Sequence, residues 1–435
     1  MTEKIDAEKV LQPLKETTRQ FWIVLGLLLL WILIALEAWS HQLTYGIFAV
    51  TGLGDWGISG EVPWGLYIGG FVWWIGVAHG GIAISAAVRV LSIDRYQVIA
   101  RIAEVLTVLA LAMAAFNVVL DLGRPDRIFN TIIMWPWTVH HSPLAWDIAV
   151  LSMYLVLSLT YMTLSLRSEI AAIRDQLPRY FAPIYAFITV GYSEAEDEKI
   201  EQILWWMAVA ILALVPLLSG GVVPWLFSLI GAQPGWFGAA AGAAMLTESL
   251  TSAVAGVVII AAVVRYAYGW HDFIGDHIFR DLAIVMAFLA LGTLWFTLHN
   301  VLTGYYMPPV NIGAMTAGML ELHFFWIAIA GLIGSVIALF AMIAWPGRFF
   351  NVAAIGVVAG VLAVTILNKK VMFVVEGLMH PTSPPMTNLY PSGWYAPTLS
   401  EWILFSGTIV LVALGFLLAS KVIPLVEIEP SEVEA

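Results

Sequence analysis

The sequence contains no cysteine in its 435 residues. A chain without thiols cannot bind an iron–sulfur cluster through cysteine ligands, form a disulfide or attach a c-type haem. If the protein takes part in electron transfer, the electron carrier must therefore belong to a partner subunit or be a small diffusible molecule.

Charged residues are also scarce. They make up 11% of the chain against 61% for hydrophobic residues, and the mean hydropathy is +0.89. This composition leaves no room for a sizeable soluble domain, so we predict an all-α polytopic membrane protein in contact with lipids and not with nucleic acid. The net charge of −11 comes mainly from the two tails and an acidic run at 194–201, which we interpret as solvated surface.

The hydrophobic stretches predict about ten transmembrane helices. They cover residues 20–42, 63–88, 96–120, 143–166, 202–229, 240–268, 279–303, 320–345, 350–368 and 400–421. Nine of them are long enough to cross about 30 Å of hydrocarbon, and the ninth in order is marginal.

Basic residues are distributed very unequally between the two sides of this ten-span prediction. Fifteen of the 19 Lys and Arg residues fall on the side of the two termini, and the opposite loops hold only Arg124, Arg127, Lys369 and Lys370. The positive-inside rule therefore predicts that both termini are cytoplasmic.

Histidines are nearly absent from the predicted hydrocarbon region. Only His79 is deep, and His299 lies about one turn from the outer end of its span. Their depths differ by about 15 Å along the helices, which makes them a poor axial pair for a haem. We therefore predict no haem in this chain.

A weak internal duplication indicates how the spans are organised. Residues 62–64 and 223–225 both read Val-Pro-Trp, and each is followed by a helix rich in Gly, Ala and Ser. Small residues let helices approach closely, so two tandem four-helix bundles of the same orientation are predicted, although such helices recur in many polytopic proteins. The predicted division is an N-terminal arm (1–19), the first helix and outer loop (20–62), a first bundle (63–235), a second bundle (236–368), an outer loop (369–399) and the tenth helix with an acidic tail (400–435).

Ionisable residues inside the predicted first bundle are candidates for function because burying them in a membrane is costly. Asp121 ends the third span and Asp147 begins the fourth near the same end, whereas His79 and Glu104 lie deeper, where they could pair or pass protons. The structural alternatives are a helix-end salt bridge from Asp121 to Arg124, a capping role for Asp147, a single hydrogen bond from His79 and a protonated core Glu104.

The predicted second bundle has fewer candidates. Glu248 lies about two turns into the sixth span, and His299 lies near the outer end of the seventh. Glu248 could equally be a protonated core residue without a role in proton transfer.

Several short sequence strings resemble the ten-helix members of the NrfD/PsrC family. The strings lie at residues 62–68, 76–85, 120–125, 142–147 and 395–401. The resemblance runs from about residue 20 to residue 425 and is strongest in the second to fourth spans.

This resemblance implies a membrane subunit, without haem or iron–sulfur cluster of its own, in a respiratory oxidoreductase complex of a prokaryotic cytoplasmic membrane. Such a subunit binds quinone or quinol, with menaquinone expected here, and exchanges electrons with an extracytoplasmic, ferredoxin-like iron–sulfur subunit. A larger catalytic or multihaem subunit completes the complex, and proton translocation is a further expectation.

The resemblance also implies a site at the outer end of the first bundle. Quinol oxidation releases protons, so a site needs polar partners for two ring oxygens, a proton acceptor and an apolar slot. The expected catalytic residues are His79, Asp121 and Asp147, the expected ring-binding residues are Trp64, Tyr67, His79, Trp146 and Asp147, and the expected proton path comprises Glu104, Glu248 and His299. The string at 299–304 departs from relatives that carry an acidic residue there, which leaves the role of the second bundle open.

Two other classes of function also fit the sequence. Repeated bundles with buried carboxylates suit an ion-coupled secondary transporter, although the two repeats have the same orientation. An inert membrane anchor of a redox complex is the other alternative.

Overall fold

The computed structural model describes residues 7–54, 61–229, 235, 236, 238, 240–306, 312–380 and 393–427. These residues form helices and connecting turns, and the described part contains only one isolated β-bridge, between Glu61 and Trp394. The prediction of an all-α protein is confirmed.

Ten helices in the described part are long and apolar enough to cross a membrane, as the hydrophobic runs predicted. They are α1 (Arg19–Tyr45), α2 (Leu66–Val90), α3 (Gln97–Asp121), α4 (Pro143–Ile173), α5 (Asp197–Leu217), α6 (Ala241–Tyr268), α7 (Asp276–Tyr306), α8 (His323–Ala344), α9 (Val352–Met379) and α10 (Leu399–Val422).

Helix α5 does not continue regularly at its C-terminal end. A π-helical turn, Leu218–Val222, follows it and leads into a short helix, Val223–Ser228. Pro216 lies inside the last turn of α5, and its ring removes one backbone hydrogen bond, so the helix widens at this point.

Helix α2 lies at the centre of the molecule and is buried along most of its length. It packs against α3, α5, α6 and α9, while α6 also packs against α7 and α9. Gly76 and Gly80 of α2 face Ser249 and Ala253 of α6, so these two backbones approach closely. The α2–α6 contact therefore joins α2–α5 on one side to α6–α9 on the other.

Helices α1 and α10 flank this core. They pack against each other, and α10 also packs on α3. The Nζ of Lys421, at the end of α10, donates hydrogen bonds to the backbone oxygens of Pro13 (2.6 Å) and Glu16 (2.5 Å). Both ends of the described chain thus lie at one end of the helices, whereas their cytoplasmic orientation stays a prediction.

Helix α9 differs from its predicted boundaries. It was expected to end at residue 368, with Lys369 and Lys370 in an outer loop, but it continues to Met379. The prediction of a loop was wrong because both lysines are ion-paired with Glu248 of α6, which offsets the cost of two ammonium groups in an apolar helix. Only Arg124 and Arg127 remain of the four basic residues assigned to the outer loops.

Candidate functional site

A buried polar cluster lies around His79 of α2. The Nδ1 of its ring makes a short hydrogen bond with the hydroxyl of Ser219. The edge of the ring faces Tyr154 of α4, with ring centroids 4.8 Å apart. Ser219 belongs to the π-helical turn, a kind of irregularity that is frequent at functional sites in α-helices.

Helix α4 presents buried hydroxyl groups to this cluster. The Tyr154 hydroxyl, in a side chain only 1% exposed, has no hydrogen-bond partner among the described residues. The same holds for the hydroxyl of Ser158, one turn further along. Buried polar groups in proteins are nearly always hydrogen-bonded, so these oxygens indicate a place for a polar ligand or water.

Asp147 lies on the same face of α4 as Tyr154. The two residues are seven positions apart, which is two turns or about 10 Å along the helix. Asp147 is half-buried, and within the described part of the chain no hydrogen bond or ion pair involves its carboxylate. The neighbouring Trp146 is 43% exposed, and its indole nitrogen donates to the backbone oxygen of Val139 (2.9 Å).

A second cluster lies on the other side of α2, toward α1 and α10. The Tyr67 hydroxyl donates to Oε1 of Gln42 (2.8 Å), whose Nε2 donates to the backbone oxygen of Leu120 (2.8 Å). Asp121 has one carboxylate oxygen that is buried without a partner among the described residues. The alternative of a salt bridge to Arg124 is not observed, because Arg124 pairs with Asp126 instead (2.8 Å).

Glu401 closes this second cluster at the start of α10. Its carboxylate accepts hydrogen bonds from the Tyr395 hydroxyl (2.7 Å) and the backbone N–H of Gly52 (2.8 Å). Burial beside this carboxylate raises the pKa of Tyr395, so its hydroxyl stays protonated and continues to donate. The network ties the N-terminal end of α10 to the loop after α1.

The structure therefore places the site residues that were predicted for the first bundle in different surroundings. His79 is twelve positions after Tyr67 on α2, which places it about 120° around the helix. Trp64 points in a third direction, stacked on Trp236 with ring centroids 5.7 Å apart. Tyr67 and Asp121 belong to the second cluster, whereas His79 contacts Tyr154 of α4, two turns along that helix from Asp147.

The deeper carboxylate, Glu104, belongs to another buried network. It accepts hydrogen bonds from the hydroxyls of Ser85 (2.7 Å) and Ser165 (3.1 Å) and lies 3.7 Å from the Nε of Arg101. No described hydrogen bond or ion pair connects it to His79, so the expected pairing of these two residues is not observed.

On α6, Glu248 is held by two cations. Its carboxylate oxygens lie 3.1 Å from the Nζ of Lys369 and 2.7 Å from the Nζ of Lys370. Glu248 is therefore ion-paired, and its role in proton transfer stays a prediction. Glu248 and His299 line a common cavity together with Glu376 of α9.

Sequence reasoning did not single out Tyr154, Ser219, Lys369, Lys370 or Glu376 as site residues. Two features of the sequence could have pointed to Tyr154 and Ser219. Tyr154 follows Asp147 by two helical turns, and Pro216 with the glycine pair at 220–221 marks an irregular helix. No group of three or more metal-ligating side chains occurs among the described residues.

Known proteins that resemble this chain are subunits of reductases or oxidoreductases. A protein of Halobacterium salinarum described as a membrane subunit of dimethyl sulfoxide reductase is 27% identical over 239 residues, covering 55% of this chain and 50% of that protein. This chain thus matches about half of the length of that relative. A selenate reductase subunit of Mesobacillus selenatarsenatis is 24% identical over 378 residues, covering 83% of this chain and 85% of that protein.

A third relative matches this chain over a shorter region. The Hdr-like menaquinol oxidoreductase integral membrane subunit of Archaeoglobus fulgidus is 29% identical over 106 residues, covering 24% of this chain and 26% of that protein. The profile of the family described as polysulphide reductase, NrfD, matches residues 56–378, which is most of the chain. Together with the ten membrane-spanning helices, this match identifies the protein as a multi-pass membrane protein of the NrfD family.

Proposed function

We propose that this protein is the quinone- or quinol-binding membrane subunit of a respiratory oxidoreductase complex. The ring is held in the first bundle, between Asp147 and the cluster of His79, Tyr154 and Ser219. The observation that carries this assignment is the buried Tyr154 hydroxyl, which has no partner among the described residues and lies beside His79.

The spacing of the polar groups suits a ring with an oxygen at each end. Asp147 and Tyr154 are separated by about 10 Å along one face of α4. A para-quinone ring with a hydrogen bond of about 2.8 Å at each end covers a similar length. An apolar slot with a few convergent polar groups is typical of small-molecule sites.

The residues have distinct tasks in the chemistry. Quinol oxidation releases two protons and two electrons. Asp147, half-buried near the outer end of α4, accepts one proton, and Nε2 of His79 accepts the second from the other ring oxygen, beside the Tyr154 hydroxyl. The bond from Nδ1 of His79 to Ser219 fixes the ring orientation and leaves Nε2 for the substrate. The same groups serve quinone reduction in reverse.

The electrons pass to a partner because this chain has no cysteine to hold a cluster. An extracytoplasmic iron–sulfur subunit and a larger catalytic subunit complete the proposed complex. The names of all three relatives, which are themselves subunits, support such an assembly. The name of the Archaeoglobus relative supports menaquinol as the substrate.

Proton translocation is a separate part of the proposal. Glu104 lies about two turns from the predicted inner end of α3, and Glu248 and His299 line the cavity near the other end of the second bundle. A proton path through all three crosses the contact between α2 and α6. Charge movement per electron should fall in Glu104→Gln, and an unchanged value would remove Glu104 from the path.

Binding of a fluorescent quinol analogue to the purified complex tests the ring site. We expect Asp147→Asn and His79→Ala each to weaken binding about tenfold, or roughly 1.4 kcal/mol. His271→Ala, at an exposed histidine outside the bundle, is the control. Unchanged affinity in both site variants would refute the site, and absence of binding in the wild type would refute the function.

A further inference from the structure

A second polar cavity lies in the other bundle. It has a volume of about 340 Å³ and is enclosed by α6, α7, α8, α9 and the short helix Ile312–Glu321. This volume falls in the usual range of ligand pockets, about 300–1,000 Å³. His79, Asp147 and Tyr154 do not line it, so it is distinct from the ring site proposed above.

Two polar groups of α9 are available inside this cavity. Glu376 is 9% exposed, and its Oε1 has no hydrogen-bond partner among the described residues. The Nζ of Lys369 donates to the hydroxyl of Thr297 (2.5 Å) and lies 3.1 Å from Glu248. An ammonium group has three donors, so one remains for a ligand. The cavity therefore offers a donor and an acceptor.

The charges around the cavity favour an uncharged ligand. Lys369 and the adjacent Lys370 contribute two formal positive charges, and Glu248 and Glu376 contribute two negative ones. Their sum is zero, so neither an anion nor a cation would be neutralised on binding. A neutral molecule with polar ends fits better, because each end can meet one of the available groups.

The spacing of these groups selects the shape of the ligand. Lys369 and Glu376 are seven positions apart on α9, so they lie on one face about 10 Å apart along the helix. This separation matches that of Asp147 and Tyr154 in the first bundle. The wall between is apolar and rich in adaptable methionines, and it includes Met245, Met315, Met319, Met372, Phe325 and Phe373.

We infer that the second bundle holds a second binding site for a quinone or quinol ring, with one ring oxygen at Lys369 and the other at Glu376. The inference rests on the proposed function, because it takes its ligand from the same chemical class. His299 and Asn300 are exposed cavity residues, and the neighbouring Leu298 and Leu302 are also exposed on α7. These two leucines provide an apolar path for the tail toward the lipid. We propose that this second site binds the ring, and we assign it no redox step.

The test is the stoichiometry of a fluorescent alkyl-hydroxyquinoline N-oxide, a quinol analogue, on the full-length chain with its co-purifying subunits in lipid nanodiscs. The wild type should bind two molecules per chain. Glu376→Gln removes the carboxylate and Ala328→Leu fills the cavity, so each should leave one. Matched controls are Glu321→Gln and Ala330→Leu, which lie at exposed positions outside the cavity wall.

The outcomes separate this inference from the proposed function. Two molecules in the wild type, with one lost in the second-bundle variants and the other bound about tenfold more weakly in Asp147→Asn, support both sites. One molecule whose binding only Asp147→Asn weakens would overturn the second site and leave the proposed function intact. One molecule that only Glu376→Gln or Ala328→Leu removes would support the second site and overturn the first. No binding to the wild type would overturn both.

Discussion

At the scale of single residues, the informative groups are the buried oxygens without partners. The hydroxyls of Tyr154 and Ser158, one carboxylate oxygen of Asp121 and Oε1 of Glu376 all share this property among the described residues. An unsatisfied buried polar group costs about 1–3 kcal/mol, so a chain that keeps several of them indicates ligands or waters at these places. Tyr154, Ser158 and Glu376 belong to the helices that form the two proposed pockets, and Asn117, Asp197 and Ser335 also keep such an oxygen.

Replacement of Tyr154 by phenylalanine removes the hydroxyl and keeps the ring against His79. Because the hydroxyl has no described protein partner, the thermal stability of the apo protein should change little. Affinity for the quinol analogue should fall by about 0.5–1.5 kcal/mol, the usual worth of one hydrogen bond. Isothermal titration measures it, with Tyr180→Phe at an exposed position as the control. A loss of stability with unchanged affinity would assign the hydroxyl a structural role.

Replacement of Glu248 by glutamine leaves Lys369 and Lys370 without their counter-charge. Removal of one partner from a buried ion pair costs about 3–5 kcal/mol, so the unfolding temperature in detergent should fall clearly. Glu321→Gln, at an exposed position, should leave it unchanged. A stable Glu248→Gln variant would show that the lysines are neutral or reach other partners.

At the scale of helices, the contact between α2 and α6 holds the two halves of the molecule together. A side chain on Gly80 would collide with Ala253 of the facing helix. Without a hydrophobic drive between helices in lipid, such close backbone packing is a principal source of association.

The variant Gly80→Ala should therefore be destabilised by about 1–3 kcal/mol, as expected for overpacking of a tight interface. Chemical denaturation in mixed micelles gives the free energy of unfolding. Gly360→Ala on α9 is a matched control, because nothing lies within 4 Å of an added methyl group there. Equal stability of the two variants would mean that α2 and α6 separate without cost.

At the scale of the whole molecule, both ends of the described chain lie at one end of the helices, and the basic residues predict that this end is cytoplasmic. The natural absence of cysteine provides a direct test. A membrane-impermeant maleimide added to intact cells or spheroplasts should label Asp126→Cys and spare Lys15→Cys until the membrane is opened. The reverse labelling pattern would invert the predicted topology.

The sequence predicted the transmembrane spans better than the contacts within the proposed site. Runs of apolar residues fixed the number of spans and most of their ends, since each helix must satisfy its own backbone in lipid. The end of α9 was mistaken because a pair of lysines normally marks a loop, and only the partner on α6 explains their burial. His79 and Asp147 were expected to belong to one site, but the contact of His79 with Tyr154, two turns from Asp147 on α4, is visible only in the tertiary structure.

By itself the sequence determined that this protein is a ten-helix membrane protein without cysteine ligands, and its strings resembled the NrfD family, to which it belongs. These properties follow from composition and local runs along the chain. Tertiary structure alone decided which polar groups meet: His79 with Ser219 and Tyr154, and Glu248 with Lys369 and Lys370. The partners in these sets come from different helices far apart in sequence. Their contact depends on how the helices rotate and pack, which no single segment encodes.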